Sequence, residues 1–137
     1  MTRSLGEIGL AVKRLQMRHH RAIDSALTPL ELSLVQWDAL RHLKANPKAS
    51  LHDLALLTFQ TDQSFGALAA RMVDRGLIER VNGPGRAVLH RLTPKGESAR
   101  RAGTTIVNRV LAASFAALSP SQLATFDALL VQLLGPG

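Results

Sequence analysis

Two short β-type runs on either side of a Gly-Pro-Gly turn constrain the fold of this chain more than any other feature. The runs cover residues 77–82 and 86–92, and Gly83-Pro84-Gly85 between them has the chemistry of a hairpin turn. A two-stranded hairpin is barely stable by itself, so this one must pack against other elements. Most other apolar residues recur at the three- and four-residue spacing of helices. The sequence therefore predicts a mainly α-helical fold with a small β-hairpin.

Two short helices are predicted directly before the hairpin. Ser50 is placed to cap a helix over residues 51–57, and Thr61 is placed to cap a second helix over residues 62–75. Gly76 follows where a glycine ends a helix. Two short helices joined by a tight turn form a helix–turn–helix, and a basic hairpin attached to it is a wing.

Longer amphipathic helices are predicted toward both ends of the chain. One covers residues 5–27, Pro94 opens another that runs to about residue 118, and Ser119-Pro120 starts the last. His19 is the one break in the apolar seam of the first helix, and we expect it to be a neutral, hydrogen-bonded packing histidine. These apolar seams indicate helices that pack against other helices.

Two capping boxes compete for the start of the helix between these regions. One is Thr28 with Glu31, and the other is Ser33 with Gln36. We favour Ser33, because the apolar residues from position 34 to position 43 then share one face. The helix must end before Pro47, since proline cannot continue it.

The distribution of charge separates a basic segment from an apolar one. Seventeen Lys and Arg against ten Asp and Glu give a net charge of +7 and a sequence pI near 11.3. Residues 75–101 hold seven of the basic residues against two acids, whereas residues 102–137 hold one of each. A small domain this basic is suited to a polyanionic partner, although a basic surface can also serve solubility alone.

Several classes of protein are excluded by what the sequence lacks. Zero cysteines exclude disulfides, cysteine nucleophiles and cysteine-ligated metals, and the five histidines do not cluster as metal ligands. We find no glycine-flanked nucleophile, phosphate-binding glycine loop or paired carboxylates, so we expect no enzyme and no cofactor. No run approaches the roughly 18 apolar residues of a membrane span, and no signal peptide is apparent. The expectation is a soluble cytoplasmic protein.

Four sequence segments, taken in order, resemble the MarR family of winged helix–turn–helix transcription regulators over nearly the whole chain. They are LSLVQWDAL at 32–40, DLA at 53–55, RMVDRGLIER at 71–80 and RLTPKG at 91–96. The resemblance implies one MarR-like domain over residues 1–137. Its winged helix–turn–helix would cover about 33–93, and its dimerisation helices would cover about 5–30 and 94–134.

The resemblance also implies a function. Such proteins are homodimers that bind double-stranded DNA at an inverted-repeat operator, usually as repressors that respond to a small aromatic or phenolic ligand. Two departures from the family pattern bear on the DNA site. Pro84 stands where the family usually has a wing aspartate, and Gly66-Ala67 stands where it often has Ser-Arg in the recognition helix.

The candidate DNA contacts lie on the two short helices and on the wing. Gln63 can read adenine through its paired donor and acceptor, and Arg86 would enter the minor groove. Asp62 is expected to support the helix N-terminus rather than contact phosphate. The full set is Ser50, Thr61, Gln63, Ser64, Arg71, Arg80, Asn82, Arg86 and Arg91.

The candidate ligand and dimer residues lie mainly on the long helices. The ligand crevice would be bordered by Met17, Arg18, Arg21 and Trp37, although Trp37 on an apolar face can equally be a core residue. The candidate dimer contacts are Leu5, Ile8, Val12, Leu15, Leu123, Phe126, Leu130 and Leu133. A second interpretation of the whole chain is a winged-helix adaptor that binds protein and has little specific affinity for DNA.

Overall fold

The computed structural model describes residues 2–85 and 87–136 and has a mainly α-helical fold with one antiparallel hairpin in that part of the chain. The predicted fold class is therefore confirmed. In chain order the elements are α1 (Leu5–Leu27), a 3-10 turn (Thr28–Leu30), α2 (Leu34–Ala45), α3 (Leu51–Leu57), α4 (Asp62–Asp74), β1 (Ile78–Asn82), β2 (Val88–Leu92), α5 (Pro94–Phe115) and α6 (Pro120–Leu134). We call α2 to β2 the winged-helix segment.

Side-chain caps set the starts of the helices in this segment. Ser33 Oγ accepts from the Gln36 backbone N–H at 3.2 Å, and the Ser33 N–H donates to Gln36 Oε1 at 3.1 Å. Of the two competing boxes, Ser33 is thus the one that caps α2, while Thr28 begins the 3-10 turn. Ser50 and Thr61 cap α3 and α4, as predicted.

Two helices end earlier than the sequence predicts. α4 ends at Asp74, one residue before the predicted end, and Gly76 follows with a positive φ of 73°. α5 ends at Phe115 rather than near residue 118. There the chain tightens into a turn in which the Leu118 N–H donates to the Phe115 carbonyl at 3.0 Å. The following Ser119 has to be extended because it precedes a proline.

The hydrophobic core lies in the winged-helix segment and includes parts of both long helices. The inner face of α4 is buried at the four positions that its spacing predicts, which are Phe65, Leu68, Ala69 and Met72. Ile23 and Leu27, at the end of α1, and Val107, in α5, also belong to this core. The long helices are therefore anchored in the winged-helix segment by their inner portions.

Trp37 of α2 packs against α5 and is hydrogen-bonded to it. Its indole N–H donates to the Arg100 carbonyl and to the Thr104 hydroxyl, both at 3.3 Å. Gly103 makes this approach possible, since a Cβ there would lie 2.4 Å from Trp37 Cδ1. Buried at 5% exposure and satisfied in its polar group, Trp37 fastens the winged-helix segment to α5.

Candidate nucleic-acid interface

The first turn of α4 is exposed and held by local hydrogen bonds. Thr61 Oγ1 accepts from the Ser64 backbone N–H at 3.0 Å, and the Ser64 hydroxyl donates to Gln60 Oε1 at 3.2 Å. Gln63 lies exposed between them. The predicted residues Thr61, Gln63 and Ser64 thus lie together at one helix end. Two of them shape that end, and Gln63 presents an amide that can both donate and accept.

Asp62, the first residue of α4, pairs with a side chain of α3 that is not among the predicted site residues. The His52 imidazole donates from Nδ1 to Asp62 Oδ1 at 2.8 Å, and both side chains are about two-thirds exposed, at 63% and 68%. This hydrogen bond to Asp62 raises the pKa of His52 above its ordinary value. The expected capping role belongs to the side chain of Thr61, while the Asp62 carboxylate bridges the two helices.

The beginning of α3 is held by a reciprocal cap. Ser50 Oγ accepts from the Asp53 N–H at 3.1 Å, and the Ser50 N–H donates to Asp53 Oδ2 at 3.0 Å. The hydrogen bonds from Ser50 lower the pKa of Asp53, so this carboxylate stays ionised. A hydroxyl that accepts can still donate its own proton, which leaves Ser50 able to bind a phosphate oxygen.

The arginines of the wing differ in whether they pair with an acid. Arg80 is exposed on β1 and lies opposite His90 in the hairpin, and the neighbouring candidate Asn82 is also exposed. Arg91 Nε donates to Glu79 Oε1 at 2.6 Å across the same hairpin, so its charge is locally compensated. Arg86, the candidate for the minor groove, lies outside the described residues.

Arg71 is exposed in the last turn of α4, away from the other candidate contacts on that helix. Eight residues separate it from Gln63, which is roughly 12 Å along a helix axis. The two side chains are thus placed to contact different parts of a duplex.

The buried His90 faces a cavity beside α4. It is 7% exposed, and burial together with the charge of Arg80 lowers its pKa. The cavity holds about 310 Å³ and is lined by Leu51 of α3, by residues of α4 and by the wing. The lowered pKa keeps this imidazole neutral, so it adds no charge to the basic wing.

The predicted ligand residues lie in two places. Met17, Arg18 and Arg21 line an open groove of about 720 Å³ along α1. Trp37 instead lines a cavity of about 400 Å³ between α1, α2 and α5, together with His20 and other side chains. One chain therefore does not bring all four candidate residues together, and Trp37 is engaged in the junction with α5.

The predicted dimer residues form an apolar surface on α1 and α6. Six of them are exposed to solvent, from Leu5 at 87% to Leu123 at 36%, and Leu15 and Phe126 are half-buried. No residue of α6, all of which the structure describes, is buried. Five of the eight line one cleft of about 400 Å³ between α1, α5 and α6, namely Ile8, Val12, Leu15, Phe126 and Leu130.

His19 lies at the polar edge of this cleft. Its Nε2 is 2.6 Å from the Ser114 hydroxyl of α5, and its ring meets Phe115 edge-on at 5.3 Å between centroids. The expectation of a hydrogen-bonded packing histidine agrees with these contacts.

Among the described residues, no cluster of three or more metal-ligating side chains is found, and no helix is long and apolar enough to cross a membrane.

Comparison with known proteins shows a family model that part of the chain matches and solved structures that share its fold. A model described as MarR family matches residues 30–87, and no curated protein matches the chain. Among solved structures, a MarR regulator from Rhodococcus sp. RHA1 has a TM-score of 0.87 at 19% identity, covering 99% of each chain. A MarR variant from E. coli in complex with operator DNA has a TM-score of 0.85 at 20% identity, covering 98% of this chain and 100% of that chain.

A MarR family protein of Mycobacterium tuberculosis, solved with p-aminosalicylic acid, has a TM-score of 0.80 at 25% identity. The match covers 97% of this chain and 100% of that chain. The family model thus matches most of the winged-helix segment, and the fold agrees along nearly the whole chain. Residues 30–87 are similar in sequence to the MarR family, and the chain shares the fold of MarR structures along nearly its whole length.

Proposed function

We propose that this protein is a sequence-specific DNA-binding transcription regulator that represses by binding an inverted-repeat operator as a homodimer. The observation that carries the proposal is the exposed first turn of α4 together with a basic wing, in a chain with a net charge of +7. In helix–turn–helix proteins the second helix enters the major groove and its N-terminal residues contact base edges. The fold is shared with a MarR variant solved with operator DNA. The proposed function is DNA binding without catalysis. The protein would act in the cytoplasm, where the DNA lies.

Dimerisation would bury the apolar surface and would bring two copies of α4 together in one DNA site. Residues 5–30 and 94–134 would form the dimer helices, and residues 33–93 would contact DNA. The exposed cleft between α1 and α6 offers leucine and phenylalanine side chains that a second copy can bury. A two-fold axis would place the two α4 helices about 34–36 Å apart, in successive major grooves. The operator should then be an inverted repeat with half-sites one helical turn apart.

The candidate contacts would divide between reading and positioning. Gln63 would read a base, because a glutamine amide pairs bidentately with adenine. The other candidates would contact mainly the sugar-phosphate backbone and fix the register, and they include Ser50, Thr61, Ser64, Arg71, Arg80, Asn82 and Arg91. Arg86, assigned from the sequence alone, would enter a narrow minor groove, where the negative potential is concentrated.

A small aromatic acid would act as the effector. A M. tuberculosis relative of the same fold was solved with p-aminosalicylic acid. In this chain the arginines of the α1 groove offer charge to a carboxylate, and Met17 offers apolar surface to a ring. Such a ligand shifts DNA affinity only if it favours one spacing of the two α4 helices over another.

A salt titration of DNA binding tests the proposal. Fluorescence anisotropy would be measured with purified protein and duplexes from the DNA flanking its own gene, in the presence and absence of salicylate. A regulator should bind one duplex far more tightly than the others, and its affinity should fall steeply with salt because phosphate contacts release counterions. Weak binding of every duplex alike at physiological salt would contradict the proposal and favour the protein-binding adaptor.

A further inference from the structure

The Asp62 carboxylate occupies an unexpected place for a protein that binds a polyanion. It is the first residue of α4, and its side chain is 68% exposed at the end of the helix that would enter the major groove. The helix dipole favours an acid there, but that interaction does not require the carboxylate to contact DNA. An exposed negative charge facing phosphates weakens binding unless it meets a donor or is neutralised.

The major groove offers few partners to a carboxylate. An ionised carboxylate only accepts hydrogen bonds, and the groove edges of guanine and thymine present only acceptors. Adenine presents its amino donor beside the N7 acceptor, which repels a second carboxylate oxygen. The cytosine edge presents the N4 amino donor with no acceptor on the same base, and cytosine is the base with which Asp and Glu pair.

His52 prepares Asp62 for such a contact. Its Nδ1 donates to Asp62 Oδ1 at 2.8 Å, which fixes the side chain and leaves Oδ2 with its own acceptor sites. The charged groups that act on His52 are Asp62, across the turn, and Asp53, on its own helix. Because Asp62 raises the pKa of His52, a larger share of this imidazole is cationic at neutral pH and offsets the carboxylate near the DNA.

We infer that Asp62 is a specificity-determining residue that accepts a hydrogen bond from the N4 amino group of a cytosine in each half-site, and that His52 is the positioning residue that holds its carboxylate. This inference rests on the proposed function, because it requires α4 to lie in the major groove. The competing interpretation is a structural ion pair that only fastens α3 to α4. The two differ in which base pairs the protein prefers.

Selection of duplexes from a randomised library tests the inference. Full-length wild type would be compared with Asp62→Asn, Asp62→Ser and His52→Ala. The affinity of each protein for the selected operators would then be measured by fluorescence anisotropy at one salt concentration. Asp74→Asn is the matched control, since it removes the same charge from an exposed residue at the other end of α4. Thermal unfolding of each variant verifies that it folds.

Wild type and Asp74→Asn should select a C·G pair at one position of each half-site, with a loss of about fivefold or more when that pair is replaced. Asp62→Asn should move the preference at that position toward adenine, with which asparagine pairs. Asp62→Ser and His52→Ala should reduce the cytosine preference while other positions keep theirs.

Three results would overturn the inference. Asp62→Asn could select the same operator as wild type, or the Asp62 and His52 variants could weaken binding to every duplex by the same factor, which is the behaviour of a structural pair. In both cases wild type still selects a sequence, so the proposed function stands. A wild type that selects no sequence would contradict the proposed function and this inference together.

Discussion

The winged-helix segment and the outer faces of α1 and α6 differ in how they treat apolar side chains. Within the winged-helix segment, α4 buries Phe65 and Met72 almost completely and exposes mainly polar or small residues. On α1 and α6, Leu5 and Leu133 are more than 80% exposed, although they follow the same helical spacing. The winged-helix segment buries its own apolar helix faces, whereas the exposed apolar faces of α1 and α6 can be buried only by a further surface.

Contacts between α2 and α5 are among those that join the winged-helix segment to the long helices. Trp37 packs on Gly103 of α5, and Lys44 of α2 lies 3.8 Å from the carboxylate of Glu97. Glu97 also binds Arg100 at 2.7 Å and Arg101 at 3.0 Å. A movement of α5 therefore acts directly on α2, which leads into the helix–turn–helix.

The largest effect is expected from Leu130→Asp, which places a charge in the cleft between α1 and α6. Burying an unpaired carboxylate in a dimer interface is costly, so the variant should be monomeric and should lose about 100-fold or more in operator affinity. Sedimentation and anisotropy measure the two quantities. Leu56→Asp, at a 63% exposed leucine of α3, should remain dimeric. A monomeric Leu130→Asp protein with wild-type affinity would contradict the two-fold arrangement.

Gly103→Ala tests the junction between the regions. Its Cβ would lie 2.4 Å from the buried Trp37 ring, so the free energy of unfolding should fall by about 1–3 kcal/mol. Denaturant unfolding, followed by the fluorescence of this single tryptophan, measures the change. Gly9→Ala is the control, because nothing lies within 4 Å of its Cβ position and alanine favours an exposed helix by about 0.5–1 kcal/mol. Equal stability of Gly103→Ala and wild type would show that α2 and α5 are packed more loosely.

Arg86→Ala separates DNA binding from dimerisation. We expect a several-fold loss of operator affinity, a decrease of about 1 in the salt slope and an unchanged dimer. The control is Arg91→Ala, whose guanidinium is already paired with Glu79, so its removal should matter less. Unchanged affinity in Arg86→Ala would remove the wing tip from the mechanism.

The smallest effect is expected from Glu97→Gln, measured as the melting temperature against pH. The hydrogen bond from Arg100, aided by Arg101 and Lys44, lowers the pKa of Glu97 from 4.5 to about 2. A depressed pKa stabilises the folded state above the unfolded value and loses that contribution as the pH falls toward 2. The variant should therefore melt below wild type at pH 7, and the gap should close between about pH 4.5 and 2. The exposed Glu79→Gln should change little; a gap independent of pH would exclude a charge effect at Glu97.

Local chemistry allowed several elements to be predicted. A serine or threonine hydroxyl caps a helix within three residues of itself, so Ser33, Ser50 and Thr61 could be identified from the sequence. The buried face of α4 likewise follows from its spacing, because one helix face meets one core. The predicted end of α5 was wrong by three residues, since the last turn of a helix is weakly held and often frays or tightens into a 3-10 turn.

Contacts between side chains of different elements could not be predicted in this way. The pair of His52 and Asp62 depends on how the turn between α3 and α4 orients two exposed side chains, and no pattern of spacing encodes that orientation. The separation of Trp37 from the α1 groove has the same origin. The resemblance implies one crevice bordered by the indole and the arginines, but the packing of α2 on α5 directs the indole inward.

By itself the sequence determined the order of helices and hairpin, the caps and the excess of positive charge, because periodicity, hydroxyl caps and turn residues act over a few positions. The tertiary structure decided which parts of each apolar seam are buried. Ile23 and Leu27 enter the core, while Leu5, on the same helix, remains exposed. The physical reason is that burial depends on which surfaces the fold brings together, and helices of the same pattern are buried only where another element lies against them.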